Sequence, residues 1–255
     1  MKDRIGEINY NNFGSKMKII AYRSANDTDI YFEEYDCIVE NIKYQSFKDG
    51  YVKCPYETRT YGVGYIGEGK YKSRINNKKT NIYITWNNML KRCYKEDGKD
   101  ITYDDCTVCE EWFNFQNFAK WFEENYYEVE GETMALDKDI LVKNNKIYSP
   151  KTCVFVPNRI NVLFTKADKI RGEYPIGINY HKRDDVLEVW CSIYEDNKKK
   201  QIYLGRFKPN QIVEAFNVYK NFKESYIKQV ADEYKPYIPK ELYDAMYRWE
   251  VDIND

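Results

Sequence analysis

The stretch YPIGINYHKRDDVLEVWCSIYEDNKKKQIYLGRFKPNQIVEAFNVYKNFKE, residues 174–224, decides how the C-terminal part of the chain folds. Side chains along a strand point alternately to opposite faces, so every second residue shares a surface. Val189, Cys191 and Ile193 make one apolar set; Glu188, Trp190, Ser192 and Tyr194 make the other. Turn-forming residues at Arg183-Asp184-Asp185 and Asp196-Asn197-Lys198 cut the stretch into three strands. From about Gln211 the period changes: Ile212, Ala215, Phe216, Tyr219 and Phe222 recur at helical spacing. The pattern predicts a three-stranded antiparallel sheet whose Val189/Cys191/Ile193 face packs on a helix. The outer face then carries Glu188, Trp190, Ser192 and Tyr194, with Asn179, His181 and Arg183 from the first strand and Gln201 and Tyr203 from the third. Lys182, Arg183, Lys198, Lys199, Lys200 and Arg206 cluster around the turns, a set that suits phosphates and equally suits a solvated hairpin tip.

Upstream, the chain divides by pattern into further segments. Residues 1–60 hold short aromatic and β-branched runs, MKIIAYR (17–23), DIYFEEY (29–35), CIVENIKY (37–44) and YVKCPY (51–56). Turn signals separate them at Asn11-Asn12-Phe13-Gly14, Ala25-Asn26-Asp27 and Lys48-Asp49-Gly50, which predicts a small five-stranded β-barrel. Residues 61–80 are Gly-rich and then polar; no GK[ST] follows, so they read as a linker or hairpin rather than a phosphate loop. Residues 81–170 turn helical at first. Ile82, Trp86, Met89, Leu90 and Cys93 form one stripe, and Trp112, Phe115, Phe118, Ala119 and Phe122 a second, both read as core faces. An Asp97-Gly98 loop separates the two stripes, and KADKIRGEYP leads into the last region, 171–255. That region closes with Pro236, Pro239 and a short helix bearing Leu242, Met246 and Trp249. The fold class expected is α+β: barrel, central helical domain, and a C-terminal sheet packed on a helix with a helical tail.

Composition bounds the function. Among 255 residues, 32% are charged and 17% aromatic, and mean hydropathy is −0.79. The aromatic load argues for packed cores rather than disorder. No apolar run is long enough to span a bilayer, and MKDRIGEINY lacks the pattern of a secretory leader. With seven Cys, an odd number, the expectation is a reducing cytoplasm and free thiols. Net charge is −1 and flat along the chain, so bound nucleic acid requires charge concentrated on one face.

Two segments carry resemblances. TWNNMLKRCY (85–94), CTVCEEWFNFQNFAKW (106–121) and LDKDILVKNNKIYSPKTCVFVPNRIN (136–161) together resemble bacteriophage proteins of the HNH-endonuclease-like group, over roughly residues 80–165. That likeness implies a ββα-metal scaffold in which one His activates water and an Asn orients the loop between strands. Here Lys138 fills the His slot, and the chain's one His, His181, lies outside the motif. An ordinary lysine is protonated near neutrality and makes a poor base. The scaffold is therefore expected to be degenerate and catalytically inactive, without a cofactor. Asp137, Asp139 and Asn145 are the oxygen donors left for a hard metal. Cys106 and Cys109 form a CxxC that, with Cys93 and Cys153, is the only candidate zinc set; free, partly buried thiols are the favoured reading.

Residues 174–224 resemble the Apetala-type (ethylene-response-factor-like) DNA-binding domain, through Gly177-Ile178, YLGRF (203–207) and the Glu214-Ala215-Phe216 and Tyr219 helix. The likeness implies a sheet that enters the major groove, backed by the helix. The residues it implies for DNA contact are Asn179, His181, Arg183, Trp190, Ser192, Tyr194, Lys199, Lys200, Gln201, Tyr203 and Arg206. Arginines common in that family are replaced here by Asn, Ser, Gln and Tyr, of which Asn and Gln suit adenine. Three functions follow as expectations. The first is a bacteriophage-type double-stranded-DNA-binding protein in the bacterial host cytoplasm, with no membrane partner. The second is a counter-defence protein of anti-CRISPR or anti-restriction type that binds a host protein. The third is an active HNH homing endonuclease.

Overall fold

The structure, a computed structural model, describes residues 3–96, 103, 105–165, 173–195 and 198–254. The Asp97-Gly98 loop, most of KADKIRG and the Asp196-Asn197 turn fall outside the described residues. The chain divides into two compact units, Met1–Glu123 and Glu124–Asp255.

The N-terminal unit begins with β1 (Ile8–Tyr10), β2 (Lys16–Ser24), β3 (Asp27–Phe32) and β4 (Cys37–Ile42), followed by the short helix α1 (Tyr44–Lys48). The strands form an antiparallel meander in the order β1-β2-β3-β4. Met17, Ile19, Ile30, Phe32 and Cys37 turn to one side and pack on Phe47, Val52 and Cys54. The expected closed five-stranded barrel is not formed: among the described residues β1 and β4 are edges of an open four-stranded sheet. YVKCPY is irregular rather than a strand. Pro55 has no N–H to give a ladder, Gly50 turns the chain at φ +72°, and the Asn11 amide caps the Val52 carbonyl at 3.2 Å. Val52 and Cys54 still bury at alternate positions, which is why the stretch reads as a strand.

Within residues 61–80 a hairpin joins β5 (Arg74–Ile75) to β6 (Lys78–Lys79) through Asn76 and Asn77, both at positive φ. This is the backbone twist that two-residue hairpin loops favour. Thr80 then caps α2 (Asn81–Tyr94), its hydroxyl accepting from the Tyr83 amide at 3.2 Å. The stripe Trp86, Met89, Leu90 and Cys93 is buried as the spacing predicts. After β7 (Thr107–Val108) comes α3 (Phe115–Asn125), which buries Phe115, Phe118, Ala119 and Phe122. Trp112 is fully buried, edge-on to Phe118 at 5.1 Å, and its carbonyl accepts from the Trp86 indole at 2.7 Å. These aromatics are core, so they cannot stack on bases.

The C-terminal unit contains β8 (Met134–Asp137), β9 (Ile147–Tyr148) and β10 (Val154–Pro157), then the one-turn helix α4 (Asn158–Asn161). β8 and β10 pair antiparallel, Val156 opposite Ala135. A three-stranded antiparallel sheet follows, in the order β11 (Ile178–His181), β12 (Val186–Glu195), β13 (Lys198–Phe207). Its inner residues Ile178, Leu187, Val189 and Cys191 pack on Ala215, Phe216 and Tyr219 of α5 (Ile212–Tyr234). The same helix continues well past Phe222, and its second half, with Ile227, Val230 and Ala231, covers Val154, Val156 and Ile160. Leu242 and Met246 of α6 (Lys240–Tyr247) complete that core. Each such apolar side chain contributes roughly 1.5–3 kcal/mol by leaving water, so the two halves of α5 tie sheet and β8/β10 pair into one unit.

Candidate nucleic-acid interface

The face of the β11-β12-β13 sheet turned away from α5 is read from register. Directly opposite residues in an antiparallel pair share a face. Asn179 lies opposite Glu188, His181 opposite Val186, Trp190 opposite Tyr203, Ser192 opposite Gln201, and Tyr194 opposite Lys199. All these side chains therefore belong to the outer surface, in rows crossing the sheet. Trp190 and Tyr203 form its aromatic centre, with ring centroids 4.9 Å apart and planes inclined at 56°.

One basic residue, Arg206, falls elsewhere than alternation suggests. The ladder shifts between Val189 and Trp190: Val189 faces Gly205, whereas Trp190 faces Tyr203, leaving Leu204 as the extra residue of a β-bulge. Gly205 sits at φ +145°, a conformation that L side chains rarely adopt. The inserted residue flips the phase of β13, so Arg206 lies opposite Glu188 on the outer face. Lys200, in contrast, lies opposite inward-pointing Ile193, and so leaves the sheet on the helix side. Lys200 therefore does not share the outer face with Lys199 and Gln201 by register. Arg183 belongs to the β11–β12 turn, its side chain 89% exposed.

The electrostatics of the face are balanced internally. Glu188 Oε1 accepts from Arg206 Nη2 at 2.8 Å, and Glu188 Oε2 accepts from the Trp190 indole at 3.4 Å. The Arg206 guanidinium holds the Glu188 carboxyl below the usual carboxylate range. Asp184 lies within 3.3 Å of His181 Nδ1, 3.4 Å of Arg183 and 3.8 Å of Arg206. Glu188 and Asp184 are functional candidates absent from the expected contact set. Glu188 was visible as an outer-face residue, but its partner was hidden by the bulge.

The loop between β8 and β10 is the second feature. Asp137 Oδ1 accepts from the backbone N–H of both Asp139 and Ile140 at 2.8 Å. The Asn145 amide donates to the carbonyls of Lys138 and Ile147, each at 2.7 Å, and so pins the loop. Lys138 is buried, its ammonium 3.0 Å from Asp139 Oδ2 and 5.8 Å from the centre of the Tyr148 ring. His181 stands on the outer face of the sheet, on β11, and no His belongs to this loop.

Burial, and then the neighbouring Asp139 charge, raise the Asp137 carboxyl above the ordinary aspartate value, against the two N–H donors. Raised in the folded state, this group favours folding when protonated. Its contribution is whole below about pH 4 and is lost as pH rises through the folded value. Asp137→Asn keeps the acceptor oxygen and removes the charge. Thermal melts from pH 4 to pH 7 are expected to decline less steeply in the variant than in the native chain; parallel curves would refute this role of Asp137.

The cysteines are dispersed in role. Cys93, Cys106 and Cys153 are buried, and Cys109 is half-buried with its thiol pushed up by burial. Among the described residues no three His, Cys, Asp or Glu side chains gather as a metal site. No helix among them is long and apolar enough to cross a membrane. In comparisons with protein-family models, curated proteins and solved structures, the chain matches none.

Proposed function

We propose that the chain is a bacteriophage-type protein that binds double-stranded DNA through the outer face of the β11-β12-β13 sheet. In this reading its β8–β10 segment is an HNH-like scaffold without nuclease activity, and the sheet and α5 are an Apetala-type domain. The observation that carries the reading is the composition of that one face. Amide, hydroxyl, imidazole and guanidinium groups (Asn179, Gln201, Ser192, His181, Arg206) surround Trp190 and Tyr203, with Tyr194 and Lys199 in the last row. Such groups read base edges and pack on sugars and bases, while Lys199 and Arg183 supply charge for phosphates. Inactivity of the scaffold is supported by Lys138, which is buried and ion-paired where the motif calls for an imidazole.

Fluorescence anisotropy on random-sequence duplexes across a salt series tests the reading. Binding tighter than about 10 μM at low salt is expected, and Lys199→Ala is expected to lower the salt slope by about one. Absence of binding to any duplex would refute it. Incubation with plasmid and magnesium or manganese is expected to leave the DNA uncut; cutting lost in Asn145→Ala would instead favour a nuclease.

A second reading, attachment to a host protein as a counter-defence factor, is favoured by one specific observation. Asp184 and Glu188 neutralise Arg183 and Arg206 within the face, as suits a mixed protein surface. Capture of a host protein that survives nuclease treatment, together with no duplex binding, would select it.

A further inference from the structure

Three polar residues cross the sheet in one row: Asn179 on β11, Glu188 on β12 and Arg206 on β13. A carboxylate in the middle of a DNA-facing surface repels phosphates, so its favourable partner on a duplex is a hydrogen-bond donor. Donors in the major groove are the N4 amino group of cytosine and the N6 amino group of adenine. They differ in what lies beside them. The guanine paired to cytosine offers two adjacent acceptors, O6 and N7, which a guanidinium takes in a bidentate fashion. The adenine amino group is instead flanked by its own N7 acceptor, which repels a carboxylate, and its partner thymine offers a single oxygen. Glu188 stands beside Arg206, with one N–H of Nη2 held at 2.8 Å by Oε1. Arginine has five N–H donors, so others remain for a base after this bond.

The arrangement is an acceptor next to a donor fork, the complement of a C·G edge. We infer that the Glu188–Arg206 pair reads one C·G base pair, Glu188 accepting from cytosine N4 and Arg206 donating to guanine O6 and N7. This inference rests on the duplex-binding reading above and assigns a sequence preference to it. The ion pair orients both groups before DNA arrives, and the carboxylate weakens attraction to phosphates that lack the base. Glu188 is thus a specificity-determining residue, exchanging the Trp190 indole on Oε2 for the cytosine amine.

The experiment selects duplexes from a random pool with the wild-type chain. It then measures anisotropy on a selected duplex, on the same duplex with the enriched C·G changed to T·A, and on one carrying 7-deazaguanine there. One enriched C·G position is expected, with affinity falling roughly 5- to 150-fold on T·A and by a smaller factor on 7-deazaguanine. Glu188→Gln, checked for an unchanged melting curve, is expected to bind the random pool at least as tightly as wild type. Its preference for C·G over T·A should shrink to about twofold. Duplex binding without C·G enrichment, or undiminished preference in Glu188→Gln, overturns this inference and leaves the duplex reading standing. Absence of binding to every duplex at low salt overturns both.

Discussion

Gly177→Ala is expected to destabilise the C-terminal unit by about 3 kcal/mol and to lower its melting temperature by about 10 °C. Gly177 precedes β11 at φ +81°, and a Cβ there would meet the Tyr219 ring at 2.1 Å. Two costs combine. An L side chain in the left-handed region costs about 1–2 kcal/mol, and overpacking a filled core costs about 1–3 kcal/mol. Tyr219 is itself buried on α5 between the sheet and the chain's last residues, so it has little room to yield. Gly131→Ala serves as the comparison in the same unit. That residue has φ +78° but nothing within 4 Å of its Cβ position, so only the backbone cost applies and a loss of about 1 kcal/mol is expected. Chemical denaturation of the two variants measures the difference. Equal losses would mean that the Gly177–Tyr219 contact does not hold β11 against α5.

Arg206→Glu is expected to weaken duplex binding at least tenfold near 0.1 M salt, by losing a phosphate- or base-directed cation and setting two carboxylates side by side. The informative partner is Lys200→Glu. Both substitutions change net charge equally, but Lys200 lies opposite Ile193 on the helix side of the sheet, and Arg206 opposite Glu188 on the outer side. Salt screens a charge beyond a Debye length, about 10 Å at 0.1 M. Lys200→Glu is therefore expected to change affinity by about twofold at that salt. If the two reversals weaken binding equally, attraction is a property of overall charge and the outer face has no special part in it.

Much of the C-terminal sheet was legible because one face of it is buried. Burial forces period-two alternation, so Val189, Cys191 and Ile193 declared the inner side and Trp190, Ser192 and Tyr194 the outer. The bulge at Leu204-Gly205 was not legible, because an extra residue inverts the alternation without altering composition, and it decided the place of Arg206. The α2 and α3 stripes were readable for the same reason as the strands, through Trp86 and Phe118 recurring at helical period. YVKCPY was misread because alternate burial of Val52 and Cys54 mimics a strand; the Asn11 amide bond that replaces a ladder bond is made across 41 residues. The burial of Lys138 was equally hidden, since its ammonium is satisfied by Asp139, Tyr148 and a folded loop that composition does not describe.

The most direct measurement of the central claim is a nitrogen–proton NMR titration of the labelled chain with a short duplex at low salt. The Trp190 indole and the amides of Asn179, Glu188, Ser192, Gln201 and Tyr203 are expected to shift together and to saturate. The buried Trp86 and Trp112 indoles, and the amides of Leu187 and Cys191 least of all the sheet, should stay near their starting positions. Spectra unchanged by any duplex, or shifts confined to residues outside the β11-β12-β13 outer face, would contradict the assignment of that face to DNA.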